Sequence, residues 1–156
     1  MLELTIPGRP GLRLEHLVLD YNGTLAVDGR LAQGVRERLE VLAVRLNVHI
    51  ITADTFGMAE VETGGLPVML QLIGKGDQAA AKMAFVESLG PRSVAAVGNG
   101  ANDRLMLGAA ALSICVAGVE GAAVAALTAS QVVVRTGTDA LDLLLQPGRL
   151  VATLRV

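Results

Sequence analysis

The sequence has no tryptophan, one tyrosine and two phenylalanines among its 156 residues, so aromatics make up only 2%. A core without rings has to be built from Ala, Val, Leu and Ile, which suits a parallel sheet buried under helices on both faces. Cysteine is nearly absent too. Cys115 stands alone, which excludes an internal disulfide and fits a reducing cytoplasm. It lies in the apolar run 112–116 with no histidine or basic residue near it in sequence, and reads as a buried, inert thiol. Net charge is only −2 and the basic residues are scattered, so nucleic acid or an anionic membrane finds no electrostatic footprint. The stretch 105–134 has Glu120 as its only charge, but Gly, Ser, Thr and Gln divide it into short pieces. A membrane span needs about 20 predominantly apolar residues, so this stretch is expected to be buried core. The opening segment 1–11 is interrupted by Glu3 and Pro7 and is not expected to act as a signal peptide.

What the sequence does have is apolar residues, 52% of the chain, arranged in short β-like runs that alternate with helical patterns. Strands are expected at 16–19, 48–51, 68–73, 94–97, 112–116 and 131–134. A helix is expected over 31–46, where Leu31, Val35, Leu39, Leu42 and Leu46 recur at helical spacing and charged residues occupy the other side. Others are expected over 77–89, with Asp77 as N-cap and Gly90-Pro91 as the stop, and over 102–110, 120–127 and 138–145. Strands alternating with helices mean βαβ units. With right-handed crossovers they give a Rossmann-like, doubly wound parallel sheet in a three-layer α/β/α sandwich. The length suits a single domain over 1–156. Ligands of such sheets bind outside the carboxyl ends of the strands, which singles out Asp20, Thr52 and the segment 98–103.

Two motifs at those ends carry chemistry. Asp20-Tyr21-Asn22-Gly23-Thr24-Leu25 follows a strand directly. A carboxylate there can face a ligand, and the turn amides at Gly23 and Thr24 can contact phosphate oxygens. An Asp can also attack phosphorus and split one hard step into two. The plainer reading is a turn joining two elements. Val97-Gly98-Asn99-Gly100-Ala101-Asn102-Asp103 again lies between a strand and a helix. Gly98-x-Gly100 could open a dinucleotide fingerprint, but the third glycine position holds Asp103, which would repel a pyrophosphate and suits a cation better.

Together the two motifs resemble the signature of the haloacid dehalogenase (HAD) superfamily, and within it the P-type ATPase and phosphoserine-phosphatase-like branches. The family pattern Asp-x-(Asp or Thr)-Gly-Thr is matched by Asp20-Tyr21-Asn22-Gly23-Thr24, and Gly-Asp-Gly-x-Asn-Asp by Gly98-Asn99-Gly100-Ala101-Asn102-Asp103. Between them Ile50-Ile51-Thr52 matches a strand ending in Thr or Ser. The resemblance runs from about 16 to 145 and implies a capless HAD-like fold with Mg²⁺ as cofactor. It implies Asp20 as nucleophile and metal ligand, and the backbone carbonyl of Asn22 as a second ligand. It further implies Thr52 on the phosphoryl group, a lysine that neutralises developing charge, and Asp103 completing the metal end. The lysine is Lys82 or Lys75. Lys82 is favoured because it matches more flanking positions of the ATPase pattern; Lys75 sits nearer the expected helix start, as in the phosphatase branch.

The chain departs from the pattern twice. Asn22 replaces the family's acid/base Asp, and an amide cannot shuttle a proton. Asn99 replaces a metal-binding Asp and offers only a neutral oxygen. The resemblance therefore implies a phosphohydrolase or phosphotransferase of low activity, acting on a small phosphorylated substrate or a phosphoprotein. The rival is a catalytically impaired HAD domain that binds a phosphorylated ligand or partner protein. No cap segment is found, so a homo-oligomer is the expected way to enclose the site. Elsewhere, Asp54 is a candidate cap for the next helix, His16 and His49 read as structural, Glu120-Gly121 as a helix start, and Arg155 has no assigned use.

Overall fold

The computed structural model describes residues 1–54 and 57–156. The chain begins with an antiparallel hairpin, β1 (Leu2–Leu4) and β2 (Leu12–Leu14), then enters β3 (His16–Leu19). A second small hairpin follows, β4 (Ala26–Val27) and β5 (Arg30–Leu31), and leads to α1 (Val35–Ala43). Next come β6 (Asn47–Thr52), α2 (Ala59–Thr63), β7 (Met69–Leu72) and α3 (Gln78–Leu89). The second half alternates β8 (Val94–Gly98), α4 (Arg104–Ala109), β9 (Leu112–Val116), α5 (Val124–Ala129) and β10 (Val132–Val134). It ends with α6 (Gly137–Leu145) and α7 (Pro147–Leu154).

Six strands form one parallel sheet in the order β10-β9-β8-β3-β6-β7. The chain builds outward from β3 to β6 and β7, then returns to add β8, β9 and β10 on the other side. The strand order therefore reverses beside β3, where doubly wound sheets bind ligands. Strand side chains alternate between two aliphatic cores. Leu17, Leu19, Ala95 and Val97 pack under α1, α6 and α7; Val18, Val94 and Ala96 pack with Val86, Met106 and Ala126 of α3, α4 and α5. Both faces are covered, which gives the three-layer Rossmann-like sandwich expected from the sequence. Among the described residues no helix is long and apolar enough to cross a membrane.

The expected elements differ from the observed ones mainly at their ends. The helix expected over 31–46 is shorter, because Leu31 pairs with Ala26 in the β4–β5 hairpin and Gly34 takes a left-handed φ of 83° before the first turn. Leu46 is still buried, beyond the helix end. The helix expected from Glu120 starts at Val124, because 117–121 close a turn through a Gly118–Gly121 bridge. Both small hairpins, α2 and α7 were not anticipated; α7 occupies most of the tail that holds Arg155. Asp77 caps α3 as expected, accepting from the Ala80 amide. The Asp54 carboxylate accepts from the Met58 and Ala59 amides at the start of α2. His16 Nδ1 and His49 Nε2 lie 3.1 Å apart and link β3 to β6.

Gly137, at the start of α6, lies directly against the Thr24 carbonyl, where a Cβ would collide with backbone. α6 thereby braces the turn after β3. Gly137→Ala is expected to cost about 1–3 kcal/mol, the usual range for overpacking a tight contact, measurable by urea unfolding against wild type.

Candidate active site

Pairing of β3 with β8 decides where the site lies. Leu19 stands opposite Val97, and the Asp20 amide donates to the Val97 carbonyl at 2.9 Å. The two motifs, about 80 residues apart in sequence, thus leave neighbouring strands at the same height. Asp20 is 7% exposed and Asp103 0%. Lys82 reaches them from α3, whose inward face carries Ala79, Lys82 and Val86 at helical spacing. Its Nζ donates to Asp20 Oδ1 at 2.5 Å and to Asp103 Oδ1 at 2.6 Å, and the side chain is 1% exposed. Asp103 Oδ2 accepts from the amides of Asn99 at 3.0 Å and Gly100 at 2.8 Å. A Cβ at Gly98 would stand 2.6 Å from the Asp103 carboxyl carbon, so only glycine lets that carboxylate tuck beneath its own loop. Lys75 is exposed, ahead of the α3 cap. Of the two candidate lysines, the structure brings Lys82 to Asp20.

Above this triad opens a cleft of about 210 Å³, lined by Asp20, Asn22, Thr52, Gln78, Asn99 and Asn102. The backbone stretches at Ala53 and Gly100 complete it. Thr52 ends β6; its oxygen accepts from the Asp54 amide at 3.0 Å, and its own proton has no acceptor among the described residues. The Thr24 hydroxyl lies 3.2 Å from Asp20 Oδ2 and 3.3 Å from Asn99 Oδ1, with one proton to serve either. The Asn99 amide nitrogen is held by the Gly121 carbonyl at 3.1 Å. Asn22 Oδ1 is buried without a hydrogen-bond donor among the described residues.

Two expected contacts need correction. The amides of Gly23 and Thr24 are not free for a phosphate. Gly23 N–H donates to the Ala26 carbonyl at 2.8 Å and Thr24 N–H to the Tyr21 carbonyl at 3.2 Å, because the chain folds back at once into the β4–β5 hairpin. The part of this segment that reaches the site is the Thr24 side chain. Gln78 was not singled out from the sequence. It is the first residue of α3 and accepts from Asn102 Nδ2 at 2.8 Å; a lone glutamine after an N-cap carries no motif signal.

Electrostatically the triad holds two carboxylates and one ammonium. Burial, then the neighbouring Asp103, push the Asp20 carboxyl up to about 6, against the opposing pull of Lys82. Burial pulls the Lys82 ammonium down, but Asp20 and Asp103 outweigh it and raise its pKa above the ordinary lysine value.

Lys82→Met is expected to cost about 3–5 kcal/mol at neutral pH, because two buried carboxylates lose their shared cation; adding Asp103→Asn should recover part of the loss in urea unfolding. Asp20 gives a pH signature. Its pKa rises from 3.8 to about 6 on folding, so the folded state holds the proton more tightly. That contribution is complete below 3.8 and is lost as pH climbs through 6. In EDTA, the stability of wild type relative to Asp20→Asn should fall by about 2–3 kcal/mol between pH 3.5 and 7; a flat difference would contradict the raised value.

No protein-family model matches the chain. It is 44% identical over 84 residues to the uncharacterized protein MJ0073 of Methanocaldococcus jannaschii, covering 51% of this chain and 90% of that protein. It is 49% identical over 39 residues to the uncharacterized protein MJ0072 of the same organism, covering 25% of this chain and 89% of that one. Among solved structures it is similar to the 3-deoxy-D-manno-octulosonate 8-phosphate phosphatase of Moraxella catarrhalis, in complex with magnesium ion, phosphate ion and KDO. That similarity has a TM-score of 0.66 and 18% identity, covering 91% of this chain and 94% of that one. The cobalt-bound form of the corresponding Haemophilus influenzae phosphatase aligns with TM-score 0.65 and 17% identity, over 86% and 88% of the two chains. A phosphoserine phosphatase in apo form aligns with TM-score 0.65 and 14% identity, over 83% and 98%. The chain belongs to one family with the two M. jannaschii proteins, and its fold is that of the haloacid dehalogenase superfamily phosphatases.

Proposed function

We propose that this chain is a Mg²⁺-dependent phosphohydrolase or phosphotransferase that acts through an aspartyl-phosphate on Asp20. The observation that carries this reading is the buried Lys82, donating at once to Asp20 and Asp103 beneath a cleft that Asp20 lines. Such an arrangement serves phosphoryl transfer, which needs positioning and charge stabilisation more than covalent work from the protein.

The donors fit a hard cation. Asp20 and Asn99 line the cleft with oxygens, the family resemblance adds the Asn22 backbone carbonyl, and the buried Asn22 Oδ1, without a donor among the described residues, marks a place short of positive charge. Mg²⁺ accepts one or two carboxylates plus water and phosphate oxygens. Among the described residues no cluster of three or more His, Cys, Asp or Glu could hold a metal, so the site suits a loosely held ion rather than a caged one. Asp103, with both oxygens already engaged, supports the site mainly through Lys82. When bound, the cation would neutralise phosphate charge. The likeness to phosphatases whose structures hold magnesium or cobalt supports a divalent ion.

The residues divide the work as follows. An Asp20 carboxylate oxygen attacks phosphorus, and the leaving-group oxygen departs with its bonding pair. Lys82 holds Asp20 in place and offsets the charge that moves onto the phosphoryl oxygens. The free Thr52 proton donates to one of those oxygens. Asn22 stands where an acid would protonate the leaving group, and its amide cannot do so. The favoured substrates are therefore phosphates whose leaving group needs no proton, from a small molecule or a phosphoprotein. The same amide cannot activate water afterwards, so the aspartyl-phosphate persists. The open cleft fits enclosure by a second copy of the chain, and we place the protein in the cytoplasm. Asn22 and Asn99 also favour a second reading, in which the domain binds a phosphorylated ligand or partner without turnover.

The two readings separate on one experiment. With acetyl phosphate and Mg²⁺, wild type should accumulate a phosphoenzyme in rapid-quench labelling, Asp20→Asn should not, and EDTA should prevent it. Alkyl phosphates should turn over poorly. Asn22→Asp should shorten the phosphoenzyme lifetime and raise alkyl-phosphatase turnover, by as much as roughly 10²–10⁴-fold, the usual worth of a general acid/base. Absence of label in folded wild type would favour the binding reading.

A further inference from the structure

The cleft has a chemical character that goes beyond its ability to hold a phosphate. Four of its lining side chains are amides: Asn22, Gln78, Asn99 and Asn102. Among the described residues none that lines it carries a positive charge. Thr55 and Phe56, outside the described residues, are uncharged by identity. The nearest cation, Lys82, lies beneath the cleft and is already committed to Asp20 and Asp103. Arg135 lines a separate pocket behind Gly23 and Thr24. With two carboxylates and one ammonium in the triad, the floor of the cleft is negative overall.

A substrate carries the phosphate and a leaving group. If the leaving group bore a carboxylate, that second anion would be desolvated beside Asp20 with no side-chain cation to receive it, a metal ion at the site being engaged by the phosphate, which is costly. A hydroxyl meets the opposite situation. Gln78 Oε1 is occupied by Asn102 Nδ2 at 2.8 Å, which fixes the amide with Nε2 as its free end, carrying two donors that find no acceptor among the described residues. Asn22 Oδ1 has no donor among the described residues, but it is buried out of reach of a ligand. A hydroxyl can accept from Gln78 Nε2 without bringing a second charge into the cleft, and a site built to satisfy such polar atoms rejects ligands that leave them unpaired.

Resting on the phosphoryl-transfer reading above, we propose that Gln78, held by Asn102, makes the cleft bind phosphates of neutral, hydroxyl-bearing groups more tightly than phosphates that carry a second anion, a preference in binding that is separate from the slow turnover of alkyl phosphates. The cleft lies below the roughly 300–1,000 Å³ of drug-sized pockets, so the group it takes is small, a short polyol or a simple sugar. Gln78 is in this sense a specificity-determining residue.

The test uses the full chain with Mg²⁺ and two ligands, sn-glycerol 3-phosphate and 3-phosphoglycerate, which differ by a hydroxymethyl group against a carboxylate. Calorimetry should show wild type binding glycerol phosphate roughly tenfold more tightly, the size expected for one uncompensated charge at a partly open site. Gln78→Arg supplies the missing cation and should bring the two affinities together or invert them. Equal affinities in wild type, a preference for phosphoglycerate, or no binding of either would overturn the inference, even where acetyl phosphate labels Asp20. The converse result, selective binding with no label from acetyl phosphate, would overturn the phosphoryl-transfer reading and leave the selectivity standing.

Discussion

Lys82 carries a positive charge to a position that water hardly reaches, and a buried ammonium is tolerated only where its protons are taken. Asp20 and Asp103 take two of them. Each carboxylate is in turn held by a backbone or hydroxyl group: Asp20 by Thr24, Asp103 by the Asn99 and Gly100 amides. Three elements that share no local sequence, β3, α3 and the loop after β8, are therefore locked by one charge balance. The contact also constrains small residues. Gly98 must lack a side chain for Asp103 to sit below its loop, and Gly137 must lack one for α6 to brace Thr24.

The aliphatic core makes this balance possible. Its strands present Ala, Val, Leu and Ile to helices on both faces, and the largest fully buried side chains are Tyr21 and Lys82, both beside the site. Tyr21 anchors the turn after Asp20 to the β4–β5 hairpin by donating from its hydroxyl to the Gly29 carbonyl at 2.9 Å. Polar anchors thus concentrate where the sheet reverses direction, and the rest of the interior consists mainly of interchangeable aliphatic packing.

Against that scaffold the two asparagines are electrostatic changes more than structural ones. Asn99 still ties its loop to Gly121, and Asn22 still enters the turn through a bridge to Ala26. What is lost is charge. With Asp20 as the one carboxylate that lines the cleft, its polar lining is mostly neutral.

The sequence alone determined the alternation of strands and helices, the sheet class, the two motifs at strand ends and the cap at Asp77. These are local properties, written in apolar period and in the few residues that can cap or turn a chain. It also placed Lys82 on a helix and favoured it over Lys75, though on flanking residues alone. The tertiary structure settles the choice: the turn of α3 puts position 82 on the face with Ala79 and Val86, against the sheet, while Lys75 precedes the cap and points to water. The tertiary structure also decided against the Gly23 and Thr24 amides, because their hydrogen bonds depend on a hairpin whose edge is tied to distant Glu62 through the Leu31 amide. Gln78 entered the site in the same way, through a contact with Asn102 formed only when α3 packs beside the loop after β8. Motifs record which groups a chain carries, whereas which of those groups face one another is set by strand order and helix rotation, and both depend on contacts far apart in sequence.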